Sequence, residues 1–121
     1  MAEIPSVWPQ CEGRISEALK YTTNPDIGLI HRLLMNGEAD LWHGEKSSAV
    51  TCFVGNPRIL NILAVAGEDM EEWISVAISD WAKFAKEYSC VALIASGRPG
   101  WRNVFKENGF KITHITGLRE V

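Results

Sequence analysis

The chain is poor in the residues around which small proteins most often build a site. Its three cysteines, Cys11, Cys52 and Cys90, are an odd number with no Cys-x-x-Cys pair among them. That excludes a disulfide framework and a structural zinc site, and it points to a reducing compartment. Cys52 and Cys90 lie inside apolar runs, where small buried hydrophobes are expected. Nothing in the sequence around any cysteine would lower its pKa, so none is read as a nucleophile. His31, His43 and His114 are scattered, with no His-Glu-x-x-His, and no metal ligand set is predicted. Ser47 and Ser48 lack a nucleophile-elbow context. Positive charge is scarce as well: 12 Lys and Arg stand against 15 Asp and Glu, a net charge of −3. Such a chain has no general attraction to nucleic acid or anionic lipid, and any contact of that kind needs a local basic patch. Apolar runs are no longer than a strand, so no membrane span is expected. Met1-Ala2-Glu3-Ile4-Pro5 lacks the basic-then-apolar order of a signal peptide. No repeat, linker or low-complexity tract is visible.

What is present suits one packed core. With 121 residues and 46% hydrophobic side chains, the sequence is read as a single domain over 1–121, with 1–8 a flexible or short extended N-terminus. Trp8-Pro9 opens a first helix to about Tyr21, with Cys11, Ile15, Ala18 and Leu19 at helical spacing and Gly13 as a weak point. Asn24-Pro25-Asp26 starts a second helix with the stripe Ile27, Ile30, Leu33 and Leu34, and Gly37 stops it. The period then changes to two. Ala39–His43 and Ser48–Val54 flank the hairpin turn Gly44-Glu45-Lys46, and Asn56-Pro57 makes a second turn. Arg58–Ala66 is apolar at nearly every position, which predicts a central strand buried on both faces.

Residues 69–88 are predicted as the longest helix. Met70, Trp73, Ala77, Trp81, Phe84, Ala85 and Tyr88 make its core stripe, with Glu71, Asp80, Lys83 and Lys86 opposite. A strand at Val91–Ala95, a helix at Pro99–Asn108 and a closing strand from Phe110 to about Leu118 complete the chain. The fold class is α/β, a mixed sheet with helices on both faces in the order α-α-β-β-β-α-β-α-β.

That order, ending in Val104-Phe105-Lys106-Glu107-Asn108-Gly109-Phe110, resembles the GNAT N-acetyltransferase fold over residues 10–118. In that family the short helix commonly ends like Leu-Tyr-Glu-Lys-x-Gly-Phe. A narrower likeness is to small GNAT-like proteins of bacteriophages and prophages. It rests on Val7-Trp8-Pro9, Leu41-Trp42, Pro57-Arg58, Gly67, Trp73, Cys90 and Gly97-Arg98-Pro99-Gly100-Trp101-Arg102. This likeness implies a place in the host cytoplasm or the virion and a protein partner, including other phage proteins.

Two departures from the family pattern bear on chemistry. Active members hold the acyl-CoA pyrophosphate on a loop like Gln/Arg-x-x-Gly-x-Gly/Ala before the long helix. Here Ala66-Gly67-Glu68-Asp69-Met70-Glu71-Glu72 has one glycine, no basic residue and four carboxylates in what is read as the first helical turn. At 5 Å in water each carboxylate repels a phosphate charge by about 0.8 kcal/mol. As a purely structural feature, the same acids complement the helix dipole. Helix spacing fans them apart, so they are not read as a cation site. Phe105 stands where the family often has a tyrosine that acts as general acid, and phenylalanine has no proton to give. Arg98 replaces a frequent asparagine.

No catalytic residue and no cofactor is therefore expected, acetyl-CoA being the alternative cofactor. The candidate contact surface, for a partner or an anion, is Gly97, Arg98, Gly100, Trp101, Arg102 and Lys106. Arg98, Arg102 and Lys106 recur every four residues on one helix side. His43, after Trp42 at a strand end, is read as an exposed hairpin histidine. The five tryptophans suit either an interface or a small core filled with large side chains. The leading expectation is a catalytically degenerate GNAT-like phage or prophage protein acting through protein contacts. An acyl-CoA-dependent acyltransferase holding phosphate on Gly97, Arg98, Gly100 and Arg102 is the alternative. A nucleic-acid module built on Arg98, Arg102 and Lys106 is a third.

Overall fold

A computed structural model describes residues 8–19, 27–95 and 101–111. The elements are α1 (Trp8–Leu19), α2 (Ile27–Met35), β1 (Asp40–His43), β2 (Ser47–Val54), β3 (Ile59–Gly67), α3 (Ile74–Glu87), β4 (Ala92–Ala95) and α4 (Arg102–Glu107). The turn at 96–100, the stretch expected as a closing strand beyond Lys111, His114 and the breaker Asn24-Pro25-Asp26 lie outside the described residues.

The strands form one sheet in the order β1-β2-β3-β4. β1, β2 and β3 are an antiparallel meander, and β4 runs parallel to β3, pairing Ile59 with Ala92 and Ile62 with Ala95. The expected central strand is thus β3, with α3 as its crossover to β4. Two hydrophobic clusters cover the two sheet faces. On one, Trp8, Cys11 and Ile15 of α1 and Ile30 and Leu34 of α2 pack on Val50 and Ala64. On the other, Trp81 and Ala85 of α3 pack on Ala49, Leu60 and Ile62, with Phe110 joining from beyond α4. Alternation along a strand sends neighbours to opposite faces, and here both faces are covered, which is why β3 reads as a continuous apolar run. The pairing slips between Val50 and Thr51, which face Ala64 and Ile62, so Leu63 is an extra residue in β3. The bulge shifts the alternation: Leu60 and Ile62 face α3, but beyond it Val65 takes that side and Ala64 turns to α1.

α1 forms despite Gly13 because Cys11 and Ile15, one turn apart, are both fully buried. α2 ends as predicted: Gly37 has φ 73°, its N–H bonds Leu34 O at 3.2 Å, and the Glu38 N–H bonds Leu33 O at 2.8 Å. This is the left-handed closure that glycine makes without strain.

The long helix is shorter than predicted. Residues 70–72 form a 3₁₀ turn, Trp73 leaves helical geometry at φ −130°, and α3 begins at Ile74. Asp69 is left-handed at φ 52°, and the Trp73 indole N–H donates to Glu68 O at 2.7 Å, which closes the turn back on the end of β3. The first turn of α3 consequently contains no acidic residue, and the carboxylates do not cap its dipole as the sequence suggested. At the other end, Tyr88 is 50% exposed and outside the core, whereas Trp81 is 3% exposed.

Candidate functional site

Gly67 ends β3, where the hairpin between β1 and β2 comes down on it. A Cβ at Gly67 would stand 2.1 Å from Lys46 O and 2.9 Å from Ser47 Cα, and φ is +155°. Only glycine fits there, and the space that its missing side chain leaves is taken by hairpin backbone. The Glu68 N–H donates to Lys46 O at 2.9 Å. The N–H groups of Glu72 and Trp73 are bonded within the turn, to Asp69 O and Met70 O.

Lys46 brings to this junction the positive charge that the local sequence lacks. Its ammonium lies 2.8 Å from Glu72 Oε2 and 3.1 Å from Asp69 Oδ2. The hydrogen bonds to Glu72 and then Asp69 hold its pKa above the usual lysine range, with Glu68 and Glu71 adding to the same effect. One ammonium thus faces four exposed carboxylates, Glu68, Asp69, Glu71 and Glu72.

The hairpin itself is held by a residue that sequence reasoning missed. Arg14 of α1 donates to Glu45 O at 2.8 Å and to Gly44 O, Ser47 O and Ser48 Oγ at 3.3–3.4 Å. Nothing in a local window shows this, because the partners are at least thirty residues away. A second missed pair is Cys11 and His43, with Sγ 3.2 Å from Nδ1. The two residues are 32 apart in the chain, so no local window shows the pair. His43 is exposed as predicted, but Cys11 is 0% exposed, which shields the sulfur from a substrate. Cys52 is half-buried, and that burial pushes its thiol pKa up, against a hydrogen bond to Asn61. Among the described residues no three His, Cys, Asp or Glu side chains gather as a metal site requires.

Of the predicted contact residues, Gly97, Arg98 and Gly100 lie outside the described residues. Trp101, Arg102 and Lys106 are on or beside α4, with Arg102 and Lys106 exposed one turn apart and Trp101 half-buried. Phe105 is half-buried between Trp101 and Phe110, with ring centroids at 6.1 and 5.4 Å. Gly109, at φ +80°, ends the helix and returns the chain to Phe110.

No protein-family model matches this sequence, and no curated protein matches it. Solved structures do match. A ribosomal-protein-alanine N-acetyltransferase from Brucella melitensis biovar Abortus superposes with a TM-score of 0.69 at 11% identity, over 95% of this chain and 92% of its own. A probable acetyltransferase gives 0.68 at 9% identity, over 95% and 91%. An acetyltransferase of Trypanosoma brucei gives 0.59 at 13% identity, over 91% and 94%. The chain has a GNAT-like fold. At these identities the likeness extends to the fold and not to the chemistry, which rests on particular side chains. Along the chain the β3–α3 junction precedes the long helix and α4 follows β4, the order that the sequence predicted. No helix among the described residues is long and apolar enough to cross a membrane.

Proposed function

We propose that this GNAT-fold chain has lost acyl-CoA chemistry and works through protein contacts, as a phage or prophage protein in virion assembly or in the infected cell. The observation that carries this reading is Gly67. The one glycine at the junction, which in the family pattern would admit a phosphate to the backbone, is spent on the approach of Lys46 and Ser47. An incoming pyrophosphate would also meet Glu68, Asp69, Glu71 and Glu72, with the Lys46 ammonium already paired to two of them. Phe105, packed between two aromatic rings, supports the reading at the position of the family's acid. The phage assignment rests on the sequence likeness alone. Calorimetric titration with acetyl-CoA tests the proposal: no saturable heat is expected, and micromolar binding overturns it.

The fold match to proteins named as acetyltransferases favours one second reading, an acyltransferase that holds its cofactor on Gly97, Arg98, Gly100 and Arg102. In that case acetyl-CoA binds, and Arg98→Ala together with Arg102→Ala abolishes the binding.

A further inference from the structure

At the β1 edge of the sheet a groove of about 500 Å³ runs between that strand and α3. Trp42, Phe84 and Tyr88 form its aromatic wall, with ring centroids 5.1 Å apart for Trp42 and Phe84 and 4.7 Å for Phe84 and Tyr88. The Trp42 indole N–H is spent on Thr51 Oγ1 at 2.9 Å, so the ring offers the groove its apolar surface. Asp40, Asp80 and Glu87 line the rim, against Lys83 alone. Among the described residues β1 has one strand neighbour, β2, so its other edge is open there. Leu41 packs toward α1 and Trp42 toward α3, which places Asp40 and Trp42 on the groove side of the strand.

We infer that this groove docks an extended basic segment of a partner protein, which adds a strand along β1 and lays alternate arginine or lysine side chains over the Trp42–Phe84–Tyr88 wall. The inference deepens the protein-contact reading and rests on it. Strand addition supplies main-chain bonds, and side-chain pockets at every second residue supply the choice of sequence. Side chains two residues apart on such a strand are spaced by about 7 Å and share a face, so two cations in an Arg-x-Arg pattern reach the same groove. Aromatic faces attract guanidinium and ammonium groups, and guanidinium in particular stacks on them. Three carboxylates at the rim complement the positive charge and oppose an acidic segment, which gives discrimination by sign.

The test is a ¹⁵N–¹H titration of the full chain with acetyl-VRVRV-amide, beside acetyl-VEVEV-amide. The basic peptide is expected to shift the amides of residues 40–43 and the Trp42 indole, and the acidic one to leave them in place. Asp40→Asn combined with Glu87→Gln should weaken the basic peptide by about fivefold, two surface charge pairs being lost, with the rest of the spectrum unchanged. Shifts centred on Glu68–Glu72 overturn the assignment, as do equal shifts with both peptides. So does sedimentation showing that the groove is filled by a second copy of this chain. Acetyl-CoA binding would defeat the broader reading whatever the peptides do, whereas silent peptides with silent acetyl-CoA defeat the groove alone.

Discussion

Replacing Gly67 by alanine tests how the hairpin and the β3–α3 junction are joined. The added methyl would sit 2.1 Å from Lys46 O and 2.9 Å from Ser47 Cα, both backbone atoms, so no side chain can rotate away to make room. The backbone at φ +155° is in addition one that residues with a Cβ rarely adopt. Backbone strain of this kind costs about 1–3 kcal/mol, and overpacking adds about 1–3 kcal/mol. If the hairpin yields instead, the bond from the Glu68 N–H to Lys46 O is put at risk. A loss near 3 kcal/mol is the expected sum, a fall in Tm of roughly 12 °C for a domain of this size. Urea unfolding followed by tryptophan fluorescence measures it, since Trp8 and Trp81 are buried and report on the two faces of the sheet. Gly13→Ala is the matched control: nothing lies within 4 Å of a Cβ there, and α1 should gain about 0.5–1 kcal/mol. A Gly67→Ala protein within about 0.5 kcal/mol of the parent would refute the claim that the hairpin fills the space beside this glycine.

Three further outcomes are expected. Trp81→Ala, which empties a buried site between α3 and the sheet, should cost about 3–5 kcal/mol in the same unfolding assay. Partial burial holds the Asp40 carboxyl above its usual 3.8, so the folded state binds that proton more readily than the unfolded one. The stability linked to this group is present at low pH and lost as pH rises through the folded pKa. Asp40→Asn should therefore stabilise the protein at neutral pH, with the gain shrinking below about pH 4 in urea melts taken across that range. Lys46 is shifted upward by its carboxylate partners, so its contribution is held at neutral pH and lost above the ordinary lysine value of 10.5. Lys46→Met should accordingly be less stable than the parent at pH 7, and the gap should narrow at alkaline pH and in high salt.

How much of this was legible in the sequence depended on distance along the chain. Local period and turn residues gave β1 to β3, the Gly37 stop and the strand β4, because each follows from a few adjacent side chains. The start of α3 was misplaced. Apolar spacing continues through Met70 and Trp73, and the break depends on the left-handed Asp69 and the indole bond to Glu68 O, neither of which has a periodic signature. The acids at 68–72 were read as dipole partners for the same reason. Long-range pairs were invisible: Arg14 on the hairpin, Lys46 on Glu72, and Cys11 on His43 each join elements at least 26 residues apart. Gly67 was recognised as the junction's single glycine, but what its missing side chain admits is a contact with backbone twenty residues earlier. Of the contact surface inferred for Gly97–Lys106, Arg102 and Lys106 are placed on the exposed side of α4. The groove beside β1 had no sequence signal, because Asp40, Trp42 and Glu87 belong to a strand and a helix far apart in the chain.

The most direct measurement is the melting temperature of the purified chain with and without about 1 mM acetyl-CoA. A ligand held at about a hundred times its Kd stabilises the folded state by roughly 2.7 kcal/mol, and at this chain length that raises Tm by about 10 °C. With Gly67 committed to the hairpin and four carboxylates at the junction, the expected result is no change in Tm. A rise of several degrees that saturates with acetyl-CoA would contradict the account and restore this chain to the acyltransferases whose fold it shares.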